Sequence, residues 1–441
     1  MATNQEGSLE KDNLPEELVK ILKSLALEWG DDVDHMDNDL EIVRLTNSFT
    51  NQIYRMKWPG KTQENNARSV LVRKYGERRD FFLDSEEEMK TFEWMSNHGY
   101  GPRLYGYFPD GRVEEFIHGR TLSQNDLWNP EISALVATKI KEFHMIDKPG
   151  SKSVILWMEL RNMLSDAKRL CSPEIKNEFG LENLEEEIDI LEKELSKDSN
   201  EIVFCHNDLR GDNMLFNEAT KDLTLIDYEY ACYNAAAYDL ANHFCELAAN
   251  YNSHHILDCS KYPSPEERQR FIRIYLSHKG HQPTEFEVEK FDVNVEKYTL
   301  ANHLNFGLWA IISDVRSTNS NFDFLGFART RFQQYQRDEE ESDSSSLDKL
   351  LKEIDEFESE EEELANCGLG EEEYLKCEAP KDEEDNSNRV SVPEKFKSIA
   401  VEKLERPVEP RQRRNLVPYD DEDVDEEIDA LKEEIADATR Q

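Results

Sequence analysis

Between residues 202 and 230 the periodicity of this 441-residue chain changes abruptly. On either side, the segments 131–144, 157–171, 183–195, 238–249 and 293–312 space their apolar residues as helices do. In contrast, IVFCHNDLRGDNMLF and LTLIDYEY read as short apolar strands joined through a polar stretch. The strand 202–205 runs into His206-Asn207-Asp208, Asn213 follows five residues after Asp208, and the strand 223–226 ends on Asp227. Transfer of a phosphoryl group from a nucleoside triphosphate asks for this set. It needs one carboxylate to orient an attacking hydroxyl and accept its proton, and oxygen ligands to hold a divalent cation against the phosphates. Asp208 is the candidate base, and Asn213 and Asp227 are the candidate metal ligands. The bland alternative is a polar loop, since Asn and Asp are common in turns. The second aspartate directly after an apolar strand argues against it, as do the residues upstream.

Upstream, residues 1–30 carry an amphipathic helix through Leu18, Ile21, Leu22, Leu25 and Ala26, and 53–58 and 69–75 alternate as strands. A helix over 86–97 ends at Gly99, and RLYGYF and RVEEFI flank a turn at Pro109-Asp110-Gly111 as a hairpin. The expected fold class is therefore α+β, a two-lobed protein-kinase-like architecture with a small mixed sheet lobe before a mainly helical lobe. The expected divisions are an N-terminal helical segment at 1–40, a small nucleotide-binding lobe at 41–118, a large catalytic and substrate lobe at 119–337 and an acidic tail at 338–441.

Charge separates the tail from the rest. The chain carries 95 acids against 53 bases, a net of −42, and residues 338–441 hold 37 of those acids with 14 bases. Such a stretch has too little apolar surface to offset the entropy of ordering it, so it reads as largely disordered, with transient helices at 347–357 and 424–435. SDSSS at 342–346 reads as solvated linker. The overall charge excludes a phosphate-backbone binder, hence no nucleic-acid partner, and disfavours anionic lipid. No apolar run reaches membrane-spanning length and the N-terminus lacks a signal-peptide pattern, so a soluble, cytoplasmic chain without a stable membrane anchor is expected. The seven cysteines are irregularly spaced and read as reduced thiols.

On the helix after the insert, Asp239, Asn242 and Glu246 stand three and four residues apart and so share one face. Their neighbours are apolar, which suggests that this polar face looks into a cleft and attracts a cationic substrate.

FCHNDLRGDNMLF and LIDYEYACYNAAAYDLANHFCE together resemble the signature of the choline/ethanolamine kinase family, and the resemblance extends through GPRLYGYFPDGRVEEFIHGRTL, KYPSPEERQRFIRIYL and EKYTLANHLNFGLWAI. Its wording is nearest to the plant-type choline kinases and covers about 41–335. The resemblance implies ATP- and Mg2+-dependent phosphorylation of the hydroxyl of choline, and of ethanolamine, at the entry to phosphatidylcholine or phosphatidylethanolamine synthesis. Position by position it implies Asp208 as the catalytic aspartate and Asn213 and Asp227 as magnesium ligands. It further implies Arg73 as the basic residue meeting the ATP phosphates, Glu88 as the acid of the small-lobe helix, and Asn51 in the nucleotide loop. The ammonium cage falls on Phe306, Trp309 and Phe327, with Tyr230 and Tyr251 nearby. A quaternary ammonium donates no hydrogen bond, so ring faces and anionic charge must recognise it.

The chain departs from the family at several positions. Phe306 stands where a tryptophan is common and Phe327 where a tyrosine is frequent, which weakens the cation–π partners. The nucleotide loop Leu45-Thr46-Asn47-Ser48-Phe49-Thr50-Asn51 lacks the glycine that lets backbone amides approach phosphate closely. Ser85 replaces an arginine. These departures keep alternatives open: an ethanolamine-preferring kinase, a kinase for another hydroxylated amine, or a weakly active or inactive kinase fold serving as a platform for the tail. The sequence leaves both the tail's partner and the choice between monomer and homodimer open.

Overall fold

The computed structural model describes residues 9, 11–47, 51–60, 67–75, 85–196, 201–249, 257–317 and 322–342. Ser48, Phe49, Thr50, Tyr251, the side chain of Ser85 and the tail helices expected at 347–357 and 424–435 lie outside the described residues. The first lobe is a five-stranded antiparallel sheet in the order β1-β2-β3-β5-β4, built from β1 (Glu41–Asn47), β2 (Asn51–Pro59), β3 (Ala67–Tyr75), β4 (Leu104–Phe108) and β5 (Gly111–Glu115). Alternation sets its register: Tyr54, Met56, Trp58, Val70, Val72 and Val113 all point to one buried face. That face is covered by α1 (Glu16–Glu28) and α2 (Val33–Asp39). Leu18, Leu22, Leu25 and Ala26 of α1 join the sheet in a single apolar core, so the N-terminal segment contributes to the small lobe instead of standing apart from it. Trp29 stacks on Trp58 at 5.6 Å to close one end. On the other face lies α3 (Ser85–Asn97), which Gly99 ends in a left-handed conformation at φ +73°.

The second lobe is helical and includes α4 (Gln124–Leu127), α7 (Pro173–Glu178) and α8 (Leu184–Leu195). Asn129 caps α5 (Pro130–His144) with proline at its first turn, and capping boxes start α10 (Pro265–Leu276) at Ser264/Glu267 and α11 (Glu285–Arg316) at Thr284/Glu287. α11 is a 32-residue central helix flanked by α6 (Leu156–Leu170), α9 (Ala236–Leu247) and α12 (Phe324–Ser342). It is buried on several sides at once, which explains why its sequence is not strongly amphipathic. The remaining short strands form two small ladders, β7 (Ile202–Cys205) with β10 (Cys232–Ala235), and β6 (Arg120–Thr121) with β8 (Met214–Asn217) and β9 (Asp222–Leu225). No helix among the described residues is long and apolar enough to cross a membrane. The expected kinase-like two-lobed fold is what forms. Several elements go beyond the sequence reading, among them β1, α2, α10 and α12, the last continuing past the boundary drawn at 338 to Ser342.

Gly111, where β5 begins after the turn, leaves no room for a side chain. A methyl group there would overlap the backbone oxygen of Arg73 and lie 2.5 Å from the Phe108 ring. Gly111→Ala is expected to destabilise the protein by about 3 kcal/mol, seen as a lower urea midpoint. An unchanged midpoint would show that the β3–β5 ladder tolerates a side chain at this position.

Candidate active site

The catalytic candidates depend on a loop that cannot satisfy its own backbone. After β7 the chain passes His206, Asn207 and Leu209 in a buried, non-regular path, and their N–H groups need acceptors. α9 supplies them. One oxygen of Asp239 accepts from His206 N at 2.7 Å and the other from Asn207 N at 2.7 Å, Asn242 Oδ1 accepts from Leu209 N at 2.6 Å, and His243 Nδ1 lies 3.0 Å from Leu209 O. Asp239 also meets His144 Nε2 at 2.9 Å. Burial opposes the Asp239 charge, but the hydrogen bonds and the nearby imidazoles outweigh it and hold the carboxyl below its ordinary range. Asp239 lies close to His144 and Cys205, a grouping with metal-ligand chemistry. Its oxygens are spent on the loop and on His144, which makes the cluster an internal brace.

Asp239, Asn242 and Glu246 therefore do not face the cleft as expected from their spacing. Every residue of α9 is buried, and Asp239 and Asn242 look at the underside of the loop. Glu246 turns to Arg331, whose Nη2 donates to it at 2.7 Å, with both side chains essentially inaccessible. A polar stripe on an apolar helix fits a cleft wall and a buried backbone clamp equally well, and the two differ only in what packs opposite.

Held from below, Asn207 adopts φ +63° and its amide donates to Tyr230 O at 2.9 Å, tying the loop to the strand exit beyond Asp227. Asp208 then emerges at the floor of a cleft of about 610 Å³, which is also lined by Asn213, Asp227 and Arg73. The amide nitrogen of Asn213 donates to Asp208 Oδ2 at 2.8 Å and to its backbone oxygen at 2.9 Å. That commits the nitrogen and leaves the Asn213 carbonyl oxygen as its metal-ligating atom. Backbone bonding from Ile226 N to Asn213 O at 3.0 Å brings Asp227 alongside, in a left-handed conformation at φ +68°. A carboxylate and an amide oxygen, with Asp208 beside them, form a hard-oxygen donor set that fits a magnesium-sized cation. Enclosure by the protein pushes the Asp208 carboxyl up to about 7. Glu246 and Asp227 add to the rise, while Arg210 and the Asn213 bond pull it down. Nothing in the short HND motif signals that shift, because it comes from the walls around the loop.

Arg73 reaches across from β3, with Nη1 donating to Asp227 Oδ1 at 3.1 Å and Nε to Glu114 at 3.2 Å. Glu88 meets Arg112 at 2.7 Å. Asn51 is buried at the start of β2 opposite Tyr75 and is not among the cleft-lining residues. Of the expected cage, Phe306, Trp309, Phe327 and Tyr230 line the same cleft as Asp208, and Phe322 joins them. The guanidinium of Arg331 lies 5.1 Å from the Phe306 ring and 5.0 Å from the Phe327 ring, bracing both. Arg331, Phe322 and Asn302, whose Oδ1 accepts from Arg331 Nη1 at 3.2 Å, escaped the sequence reading; Arg331 and Asn302 are wholly buried and act through other side chains.

Residues 42–336 match the choline/ethanolamine kinase family. The chain is 49% identical to probable choline kinase 2 of Arabidopsis thaliana over 324 residues, 73% of this chain and 91% of that protein. With the probable ethanolamine kinase of the same plant it is 33% identical over 327 residues, 73% of this chain and 84% of the relative. The crystal structure of a choline kinase from Cryptosporidium parvum superposes with a TM-score of 0.64 at 27% identity, covering 77% of this chain and 99% of that one. A Plasmodium vivax ethanolamine kinase gives 0.60 at 27%, covering 76% and 95%.

The Asp239 clamp has a pH signature. Its folded pKa lies below the ordinary aspartate value of 3.8, so its contribution is present above that value and is lost as the pH falls. Asp239→Asn is expected to lower unfolding free energy at pH 7 by about 3 kcal/mol. In urea titrations the gap to wild type should narrow as the pH falls below 4. A gap that widened on acidification would contradict the clamp.

Proposed function

The chain belongs to the choline/ethanolamine kinase family, and from that premise we propose that it transfers the terminal phosphoryl group of ATP to the hydroxyl of choline, with ethanolamine as a second substrate. The observation that carries this reading is the shared cleft. Asp208, Asn213 and Asp227 lie at its floor, and Phe306, Trp309, Phe327 and Tyr230 line it as well. Relatives with the higher identity are named choline kinases and a more distant one an ethanolamine kinase, which supports choline as the leading substrate.

In the proposed reaction the alcohol O–H donates to Asp208, which turns the oxygen lone pair toward the phosphorus. As the new P–O bond forms, the bond to the leaving ADP breaks and the alcohol proton passes to Asp208 and then to solvent. The hydrogen bond from Asn213 fixes the carboxylate rotamer, so little reorganisation is needed at the moment of transfer. Asn213 Oδ1 and Asp227 would hold magnesium, whose charge would offset that of the phosphates. Arg73 would add a second cation on the small-lobe side. The ring faces of Phe306, Trp309 and Phe327 would receive a trimethylammonium group, which needs no hydrogen-bond acceptor. The carboxylate of Glu246 is neutralised by Arg331, so the rings carry most of the recognition, which favours a quaternary ammonium over a primary one.

A coupled ATP assay with each amine decides the reading. Choline is expected to turn over with the higher kcat/KM, and Asp208→Asn to lose at least about three orders of magnitude in kcat. Phosphorylation of neither amine by folded protein with magnesium would sink it. Trp309→Leu should raise the KM for choline about tenfold with the KM for ATP unchanged. Equal effects on both would remove Trp309 from the cage.

A further inference from the structure

In kinase-like folds the acid of the small-lobe helix ordinarily meets the basic residue of the third strand directly. In this chain two further charged residues intervene. Glu88 Oε1 accepts from Arg112 Nη1 at 2.7 Å, Arg112 Nε donates to Glu114 Oε1 at 2.6 Å, the same oxygen accepts from Arg73 Nε at 3.2 Å, and Arg73 Nη1 reaches Asp227 Oδ1 at 3.1 Å. We propose that Arg112 and Glu114 are positioning residues that transmit the placement of α3 to Arg73, so that the small lobe's grip on the nucleotide phosphates is set by ion pairs in series through β5. The proposal rests on the phosphotransfer reading above and assigns roles within it.

The strand register explains why the series is needed. Arg73 and Arg112 are directly opposite each other in the β3–β5 ladder, where like charges repel. Glu114, two residues along β5 and so on the same face, places one oxygen between the two guanidinium groups. On the far side, Glu88 and Phe92 stand four apart on α3 and hold the Arg112 guanidinium from two directions, the ring centroid lying 3.8 Å from it. Glu88, Arg112, Glu114 and Arg73 are each less than a tenth exposed, so water screens these pairs little. Removing one member leaves its neighbours charged and uncompensated. A guanidinium can face two carboxylates at once with its planar fork, whereas an ammonium offers a single point charge, which accounts for arginine at both 73 and 112. Burial works against the charge on both arginines, and the carboxylates around them more than offset it.

The test measures kcat, the KM for ATP and the KM for choline in the full chain for Glu88→Gln, Arg112→Lys and Glu114→Gln. The KM for ATP is expected to rise about tenfold for Arg112→Lys and Glu114→Gln and about threefold for Glu88→Gln. The KM for choline should stay within about twofold of wild type. Conserved charge without the fork should not rescue position 112. An unchanged KM for ATP in folded Glu114→Gln would overturn the proposal, as would both KM values rising together with a falling melting temperature. If Arg112→Lys fails to fold, the isosteric Glu114→Gln carries the test alone. ADP affinity by calorimetry gives a readout independent of turnover: wild type that binds ADP yet phosphorylates neither amine would defeat the assigned reaction, and a weaker ADP affinity in Glu114→Gln would still support the relay.

Discussion

Asp239 accepts from the backbone N–H groups of His206 and Asn207, one to each oxygen, and this pair of hydrogen bonds fixes where Asp208 can point. The loop has no secondary structure of its own to satisfy those donors, and Asn207 must adopt a left-handed backbone to carry Asp208 into the cleft. A buried carboxylate meets both requirements. It is kept charged by His144, while Asn242 and His243 bind the next loop residue from the same helix. α9 thus holds the loop proposed to be catalytic without lining the cleft, and the 32-residue α11 packs against it.

The cleft divides its electrostatics between two ends. At the end proposed for the nucleotide, carboxylates and arginines alternate from Glu88 to Asp227, so a single extra cation or phosphate changes the balance of a closely coupled set. At the end proposed for the amine, Glu246 is paired with Arg331, and Arg331 in turn backs the Phe306 and Phe327 rings. Phenylalanine at these two positions gives up some cation–π strength relative to tryptophan or tyrosine, yet it offers plain ring faces that fit against a buried guanidinium.

Much of this was legible in the sequence where local chemistry decides. The hairpin insert, Asp208, Asn213 and Asp227, the β4–β5 turn and the glycine that ends α3 all announce themselves by residue type and spacing, and the structure brings the three polar residues to one cleft floor. The chain's resemblance to a known family added Arg73 and the ring positions, of which Phe306, Trp309 and Phe327 share that cleft. What was not legible depends on packing across long sequence separations. The polar stripe of α9 reads the same whether it faces a cleft or a loop's underside. Glu88 pairs with Arg112 because the strand order sets β5 beside β3, and Arg331 matters only because α12 packs on α11. The rise of the Asp208 carboxyl toward neutrality likewise belongs to the enclosure, not to the motif.

Asn213 and Asp227 are proposed to hold a metal while Asp208 serves the alcohol. Electron paramagnetic resonance titration of Mn2+ in the presence of ADP separates these roles without relying on turnover. Wild type and Asp208→Asn are expected to bind the ion with similar affinity, whereas Asn213→Ala and Asp227→Asn weaken it by at least about tenfold. Undiminished binding in Asp227→Asn, or loss confined to Asp208→Asn, would contradict it.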